Sequence, residues 1–370
     1  KIIQHNRSLK NKKNNAILIE PIVIEEEFKM LEPQKELMRS ESDYSIELDS
    51  DDSEEYNEQE NFMRGIAISS YGEHFICDIG DSCIKHLHNN SGLVDIAGYV
   101  EGYRDSEDGT CALFNAPCGI TMDLNDNLII ADTGNNCIRK IELVRVSDEI
   151  KVNKIYTIAG SKNQLAGYND GDCAEALFFS PMDVSVDKEG TIYVCDMENN
   201  CIRMIKNGKV TTLGGKLFNY PEGICVNPID QHIFVSDTGN NCVKRISPSG
   251  DIKIIAGREG HIPSEDALPI DTRWGELASE ITMNSPTGII IDGEGVIFVS
   301  DTHNNCIRII KDNESSTIIS KTEESMFNVP TALAVEDNNL VIVDSMNGIV
   351  RQITGIAKKI EKGKYLIVIF

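Results

Sequence analysis

Short apolar runs bounded by turn-forming residues recur along the chain from residue 62 onward. Runs such as "GTIYVCD" and "GVIFVSD" are rich in Val, Ile and aromatic residues, and Gly, Pro, Asn or Asp stands at their ends. Side chains of this kind pack well on a pleated surface, and the bounding residues favour turns. The pattern therefore predicts an all-β fold made of many short strands.

One string of eleven residues occurs in six copies, and "ADTGNNCIRKI" and "SDTGNNCVKRI" are two close examples. An Asp marks every copy, and the six are Asp78, Asp132, Asp196, Asp237, Asp301 and Asp344. Their spacing gives a unit of about 42 residues that carries insertions in three places. A period of this length indicates a repeat architecture rather than a single active-site motif.

Every unit follows the same order of elements. In five units a strand opens behind a Pro, a second strand runs into the Asp, a third follows the two Asn positions, and a fourth tends to end in Gly. An apolar anchor stands three positions before each Pro: Phe114, Phe178, Phe218, Met283 and Phe327. Four strands per unit are typical of a propeller blade, so six units predict a six-bladed β-propeller of four-stranded antiparallel blades.

The units resemble NHL repeats, in which a Pro-x-Gly strand is followed by a strand into Asp-Thr-Gly-Asn and then by a basic strand. The resemblance covers about residues 62 to 361. This chain departs from the family pattern by Asn-Asn or Asn-Gly in place of Asn-His, by Cys in place of Arg or His, and by Met63 in place of the first Pro. The insertion "GYRDSEDGTCALFNAP" also resembles linkers of NHL propellers that follow a thioredoxin-like domain, although this chain has no thioredoxin motif.

We expect the repeated Asp to be structural, because catalytic groups rarely need six copies. Its carboxylate is expected to accept backbone N–H bonds from the turn that follows. A cation stands seven residues after each Asp, and the six cations are Lys85, Arg139, Arg203, Lys244, Arg308 and Arg351. We expect these residues to form Asp–Arg pairs between neighbouring blades, with a role in stability rather than in activity.

The repeated Cys occurs in five units, at Cys83, Cys137, Cys201, Cys242 and Cys306. Equivalent points on packed sheets lie about 10 Å apart, too far for a disulfide or a shared zinc ion. We therefore interpret these residues as small buried groups. Eleven cysteines without a C-x-x-C pair indicate free thiols, which favours the cytoplasm or the nucleus.

Residues 1–61 are expected to be a mostly disordered acidic extension, because they hold 16 Asp and Glu against eight Lys and Arg. Residues 62–370 are expected to form the propeller. The apolar island "NAILIEPIVI" at 15–24 is a candidate outer strand that closes the ring, or a candidate segment for binding a partner. The segments "AKKIE" and "KYLIVIF" near the chain end are alternatives for closing the last blade. No signal peptide or membrane span is visible, but the chain begins with Lys1, as a fragment or processed form would.

Three long inter-blade connections run between Gly98 and Pro117, Gly160 and Pro181, and Gly257 and Pro286. Blade topology places them on the same face as the Asp-Thr-Gly turns, and insertions on one face of a repeat array indicate a binding face. The candidate binding residues on this acidic face are Trp274, Asp105, Asp108, Tyr168, Asp170, Asp172 and His303. A calcium site in the two acidic Gly-rich loops is an alternative, although the ligand spacing of an EF-hand is absent.

These features predict a non-enzymatic, monomeric interaction scaffold that binds a protein or a basic peptide, with no cofactor and no membrane. A propeller hydrolase or lyase with an axial metal is an alternative class, although the His set of the zinc lyases resembling NHL propellers is not visible. RNA binding, as in some tripartite-motif NHL proteins, is disfavoured because a net charge of −24 repels phosphate.

Overall fold

A computed structural model describes residues 62–88, 92–147, 149–261, 276–318 and 327–356. These residues form six antiparallel sheets, one for each repeat. The first strand of every sheet packs against the first strand of the next, and the first strand of sheet 6 packs against that of sheet 1. The predicted six-bladed β-propeller is therefore confirmed. The extension 1–61, the island at 15–24 and the segments "AKKIE" and "KYLIVIF" lie outside the described residues.

The first three blades hold four strands each, and blade 3 gains a short fifth strand from the linker that precedes it. Blade 1 consists of β1 (Met63–Ile68), β2 (His74–Asp78), β3 (Cys83–His88) and β4 (Gly92–Ala97). Blade 2 consists of β5 (Pro117–Met122), β6 (Leu128–Asp132), β7 (Cys137–Val146) and β8 (Glu149–Ala159). Blade 3 consists of β9 (Gly171–Asp172), β10 (Pro181–Val186), β11 (Ile192–Asp196), β12 (Cys201–Lys206) and β13 (Lys209–Leu213).

Blades 4 and 5 repeat this plan, and the described part of blade 6 has three strands. Blade 4 consists of β14 (Pro221–Val226), β15 (Ile233–Asp237), β16 (Cys242–Ile246) and β17 (Ile252–Gly257). Blade 5 consists of β18 (Glu276–Leu277), β19 (Pro286–Ile291), β20 (Ile297–Asp301), β21 (Cys306–Lys311) and β22 (Glu314–Ile318). Blade 6 consists of β23 (Pro330–Glu336), β24 (Asn339–Asp344) and β25 (Ile349–Ile353).

The helical content of the described residues is limited to single 3₁₀ turns. Five of them follow the second strand of a blade, and a sixth lies in the first long linker: Thr133–Asn135, Met197–Asn199, Thr238–Asn240, Thr302–Asn304, Ser345–Asn347 and Gly109–Cys111. The turns after the second strands and the linkers between blades lie on one face, as predicted. Hydrogen bonds from side chains of the turns to carbonyls of the linkers show this. Asn135 donates to the carbonyl of Gly102 at 2.7 Å, and Asn199 donates to that of Gly167 at 2.8 Å. We call this surface the loop face.

The core is divided among the seams between blades. One cluster joins Phe75 and Ile84 of blade 1 to Ile120 and Leu128 of blade 2, and comparable clusters fill the other seams. The predicted anchors before each Pro are all buried: Phe114, Phe178, Phe218, Met283 and Phe327. Because each seam removes apolar surface of two blades from water, the ring is stabilised only when neighbours are present on both sides.

The repeated turn bonds each blade to the next. Its Thr hydroxyl donates to the carbonyl of the next Pro, as Thr133 does to Pro181 at 2.7 Å and Thr238 to Pro286 at 2.6 Å. The second Asn adopts the left-handed conformation and its side-chain oxygen accepts from the amide just before the next Pro. In blade 2 this Asn is Asn136, with a φ of 53°. The turn string therefore encodes an inter-blade junction.

The same contacts close the ring. Ser345 of blade 6 stands at the Thr position and donates to the carbonyl of Met63 in blade 1 at 2.7 Å. Met63 and Ile66 of blade 1 pack with Ala334 and Val343 of blade 6. Met63 thus takes the structural place of the Pro that the first repeat lacks, since the junction needs its carbonyl and an apolar side chain.

We predict that Asn136→Ala destabilises the propeller by about 1–2 kcal/mol, because it removes the 2.9 Å bond to the amide of Ser180 and a residue that tolerates positive φ. Asn136→Gly should cost less, since it keeps the backbone conformation. Urea unfolding of both variants measures the difference. Asn153→Ala is the control, because Asn153 is exposed and makes a 3.3 Å bond to Glu142. Equal loss in Asn136→Ala and in the control would contradict this role.

Candidate functional site

The repeated Asp is a buried junction between three chain segments. Asp132 accepts the backbone amide of Asn115 at 2.9 Å, the side-chain amide of Asn135 at 2.9 Å and Arg139 Nη1 at 2.8 Å. Two expectations are corrected here. In blades 2 to 6 the backbone donor comes from the linker that leads into the same blade, whereas in blade 1 the expected turn donor is present, since the amide of Asp81 donates to Asp78 at 3.2 Å. The Asp–Arg pair lies within one blade, not between blades. The pairing of Asp132 with Cys137 explains this, because it brings Arg139 beside the carboxylate from the adjacent strand.

The repeated Arg holds the preceding linker in place. Arg139 donates to the carbonyls of Leu113 at 3.1 Å and Arg104 at 2.9 Å, and it pairs with Asp105 at 2.9 Å. Its guanidinium also lies over the rings of Tyr103 and Phe114, 5.0 and 4.8 Å from their centroids. A fully buried cation is tolerated here because carboxylates, carbonyls and ring faces surround it.

Blade 3 repeats this arrangement. Arg203 pairs with Asp196 at 2.6 Å and Asp170 at 2.7 Å, and its guanidinium lies over Tyr168 and Phe178, 5.0 Å from each centroid. The shared signal is Gly-Tyr-x-Asp in both linkers, at Gly102–Asp105 and Gly167–Asp170. This shared segment is the sequence signal for the contact, because in each case it binds the repeated Arg of the blade that follows the linker. We call this contact the clamp.

Other repeats use the same site with different partners. In blade 4, Lys244 pairs with Asp237 at 2.7 Å and Glu259 at 2.6 Å. Arg308 pairs with Asp301 at 2.7 Å and Arg351 with Asp344 at 2.6 Å. In blade 1, Lys85 lies 2.8 Å from Asp81 and 2.8 Å from Asp95, and 3.5 Å from Asp78. All six predicted Asp residues are fully buried.

Burial shifts the protonation of a repeated carboxyl and of four repeated thiols. It raises the pKa of Asp132 to about 6 although Arg139 opposes the shift. Burial also raises the pKa of the repeated thiols Cys83, Cys201, Cys242 and Cys306 to about 12. All eleven cysteines are free, and thiols that stay protonated are poor nucleophiles and poor metal ligands.

The predicted loop-face residues do not form one cluster. Tyr168 and Asp170 come together on Arg203. Asp172 pairs with Lys209 at 2.9 Å, and Asp108 accepts the amide of Thr110 at 2.9 Å within its own turn. His303 is exposed on the turn of blade 5, and Trp274 lies outside the described residues.

Four exposed apolar side chains on the loop-face linkers were not predicted from the sequence. They are Leu165 and Phe179 in the linker before blade 3 and Leu217 and Tyr220 in the linker before blade 4, all between 42% and 59% exposed. Phe179 and Tyr220 flank the blade 3 turn: the carbonyl of Phe179 accepts from Glu198, and the amide of Tyr220 donates to Asn200. We call these four residues the linker patch.

The first strands of all blades surround an axial cavity of about 240 Å³. Neighbouring backbones approach so closely there that a Cβ on Gly223 would lie 1.9 Å from the carbonyl oxygen of Thr287. Asp183 stands at the equivalent position of blade 3, and its carboxylate accepts the amides of Val184 at 2.8 Å and Ile224 at 3.0 Å. Burial raises the pKa of Asp183 to about 7.

A charge pair crosses the same cavity. Arg64 begins the first strand of blade 1, and its guanidinium donates to the carboxylate of Glu222 in blade 4, on the opposite side of the ring. Within the described ranges, no three His, Cys, Asp or Glu side chains lie together as metal ligands. The same residues include no helix of the length and apolar character that a bilayer crossing requires.

Comparison with protein families decides the type of repeat. The model of the teneurin NHL domain matches residues 212–326, which cover blades 4 and 5. The chain is an NHL-repeat β-propeller. The NHL propeller is 26% identical to teneurin-3 of Danio rerio over 220 residues, which cover 52% of this chain and 8% of the relative. It is also 23% identical over 288 residues to Protein SUPPRESSOR OF QUENCHING 1, chloroplastic, of Arabidopsis thaliana, covering 68% of this chain and 26% of that protein.

Solved structures share the fold of the NHL propeller. A gluconolactonase from Xanthomonas campestris superposes with a TM-score of 0.54 and 12% identity, covering 80% of this chain and 86% of the other. An auxiliary nutrient binding protein from Bacteroides ovatus gives a TM-score of 0.56 at 14% identity, covering 79% and 69%. At such identities the likeness shows architecture alone.

We predict that Arg203→Met destabilises the NHL propeller by about 3–5 kcal/mol, because it leaves the fully buried Asp196 without its cation. Hydrogen exchange should also accelerate at the amides of the linker residues 167–177, which Arg203 holds. Lys206→Met is the control, since Lys206 pairs with Glu189 at the surface and such pairs contribute about 0–1 kcal/mol. Unchanged exchange in the linker would contradict the clamp.

We predict that Asp183 makes the propeller less stable as the pH rises. A carboxyl with a folded pKa of about 7, against an ordinary value of 3.8, binds its proton more tightly in the folded state, so folding loses free energy between those values. Urea unfolding at pH 5.5 and pH 8 measures this. The difference in unfolding free energy between Asp183→Asn and wild type should shift in favour of the variant at pH 8. A difference that does not change with pH would contradict it.

Proposed function

We propose that this NHL propeller is a non-enzymatic interaction module that binds a protein or basic peptide segment on its loop face. The observation that carries the proposal is the linker patch. Its four large apolar side chains are held on two adjacent linkers, and one of those linkers is clamped by buried Arg203. Large exposed apolar side chains on a rigid support favour association, because their burial requires little ordering of the protein.

Charge around the linker patch favours a basic partner. The linker before blade 3 carries exposed Asp170, Asp172 and Glu175 against Lys162, and the linker before blade 4 adds exposed Lys216. Two of these acids, Asp170 and Asp172, already have intramolecular partners, so we place the energy of binding on the apolar side chains. The net charge of −24 on the whole chain would mainly raise the association rate of a basic partner and select against acidic partners.

The relatives do not define a function or a partner for this chain. The chain spans about 8% of the length of teneurin-3, and the auxiliary nutrient binding protein shares only the fold. The gluconolactonase among the similar folds keeps a catalytic class open as the alternative. The described residues favour binding because the repeated Asp, Arg and Cys side chains are engaged in the junctions between blades and linkers.

We predict that peptides selected from a random phage library on the purified chain will carry apolar and basic residues and will bind through the linker patch. Fluorescence anisotropy should show at least a tenfold weaker affinity for Phe179→Ser/Tyr220→Ser, since buried aromatic anchors dominate such interfaces. The matched control is Leu124→Ser/Ile229→Ser, because Leu124 and Ile229 are 62% and 66% exposed on the opposite face. The control should bind within twofold of wild type.

Two results would overturn this proposal. One is a set of selected peptides whose affinity falls equally in the patch variant and in the control. The other is a failure to enrich any peptide on a folded chain, while melting temperatures of both variants stay near that of wild type. RNA binding with steep salt dependence would instead favour the nucleic-acid alternative.

A further inference from the structure

The axial cavity contains charges that the propeller does not need for its architecture. Arg64 and Glu222 occupy the position just after the Pro, or after Met63, in their blades. The other four blades carry uncharged residues there: Cys118, Met182, Thr287 and Thr331. Since these blades build the same first strand without a charge, the pair is a specific addition. Desolvating an ion pair is costly, so such groups in a cavity call for a functional explanation.

The pair has unused hydrogen-bonding capacity. Within the described ranges, the only side-chain hydrogen bond of either group joins Arg64 to Glu222. A guanidinium has five N–H donors and a carboxylate has about four acceptor sites, so most of this capacity is open. By contrast, the repeated Arg203 uses its donors on two carboxylates and two carbonyls.

Three other polar side chains around the cavity already have partners in the fold. Asp183 accepts two backbone amides, one from each of two blades. Ser185 accepts the amide of Val226 at 3.2 Å, and Thr287 donates to the carbonyl of Thr331 at 3.1 Å. The charged groups with spare capacity are thus one cation and one anion from opposite blades. Their side chains remain 29% and 17% exposed, so solvent reaches them.

We propose that the axial cavity binds a small zwitterion of the α-amino acid class, which inserts its two charges between Arg64 and Glu222. The carboxylate of the ligand would accept two hydrogen bonds from the guanidinium of Arg64, and the ammonium group of the ligand would donate to the carboxylate of Glu222. Each charge of the protein then keeps an opposite partner, so the ligand replaces one ion pair by two. An anion or a cation alone would leave one protein group without its partner.

The cavity also limits the size and polarity of the ligand. A volume of about 240 Å³ is smaller than the roughly 300–1,000 Å³ of sites for drug-sized molecules. Thr121, Ser185 and Cys225 face it alongside Ile and Val side chains, which suits a short side chain. The ligand class is therefore a small amino acid or a compound of the same charge pattern, and this proposal is independent of the linker patch.

The experiment compares a zwitterion with its two halves. Isothermal titration calorimetry and thermal shift on the purified chain use glycine, L-alanine and L-serine, with acetate and methylammonium as one-charge controls at matched ionic strength. We expect saturable one-to-one binding of at least one zwitterion, with an affinity at least tenfold above that of either control. Glu222→Gln and Arg64→Met should each weaken it at least tenfold, whereas the surface-pair variant Glu73→Gln should not.

The wild-type panel alone can overturn the proposal, whether or not the cavity variants fold. If no zwitterion binds better than acetate and methylammonium, the site does not exist. If, in addition, both cavity variants melt at lower temperatures than wild type, the Arg64–Glu222 pair has a structural role and stabilises two opposite blades. Binding that persists in both variants would also contradict the assigned residues.

Discussion

A buried carboxylate at the end of the second strand is the constraint on which each blade depends. In blade 2 it gathers donors from three places: the linker, the turn and the third strand. A buried charge without these donors would cost several kcal/mol, so the segments must come together for the carboxylate to be tolerated. Only one placement of the linker satisfies the Asp and the Arg at once, so the buried charge fixes the position of the linker.

This constraint explains why the long linkers before blades 2 and 3 lie against the blades. The Gly-Tyr-x-Asp segments supply a ring face, one carbonyl and a second carboxylate to the repeated Arg. Residues that look like a solvent-exposed acidic surface in the sequence are thus partly internal counter-ions. The binding potential of the loop face then rests on the apolar residues that the clamped linkers present, with the acids as a second influence.

Departures from the repeat mark the places where the six blades differ in chemistry. Met63 stands in place of the Pro and Ser345 in place of the Thr of other repeats, and both keep the same junction between blades. These two departures therefore leave the architecture unchanged. Arg64, Asp183 and Glu222 instead introduce charge where equivalent blades have small or uncharged residues. A repeat fold requires equivalent residues at the junctions between blades, and it tolerates different residues around the cavity and on the linkers. Function is therefore expected at the cavity and at the linkers.

The sequence by itself determined the number of blades, the strand order within each and the buried anchors. These features repeat at fixed spacing, and local chemistry such as Pro, Gly and apolar alternation specifies them. The inert character of the repeated Cys and the common face of turns and linkers also followed from strand geometry. The sequence could not determine the partners of Asp132 and Arg139, because a strand alignment and a linker path decide which segment supplies each donor.

Only the tertiary structure decided which residues share a site. Arg64 and Glu222 are separated by 158 positions and meet because blades 1 and 4 face each other across the axis. Phe179 and Tyr220 both lie against the blade 3 turn because the linkers on either side of that blade bond to it. Both cases depend on the closure of the ring, which brings together residues that no local pattern relates, and this is why the repeat predicts the scaffold while the chemistry of its faces requires the fold.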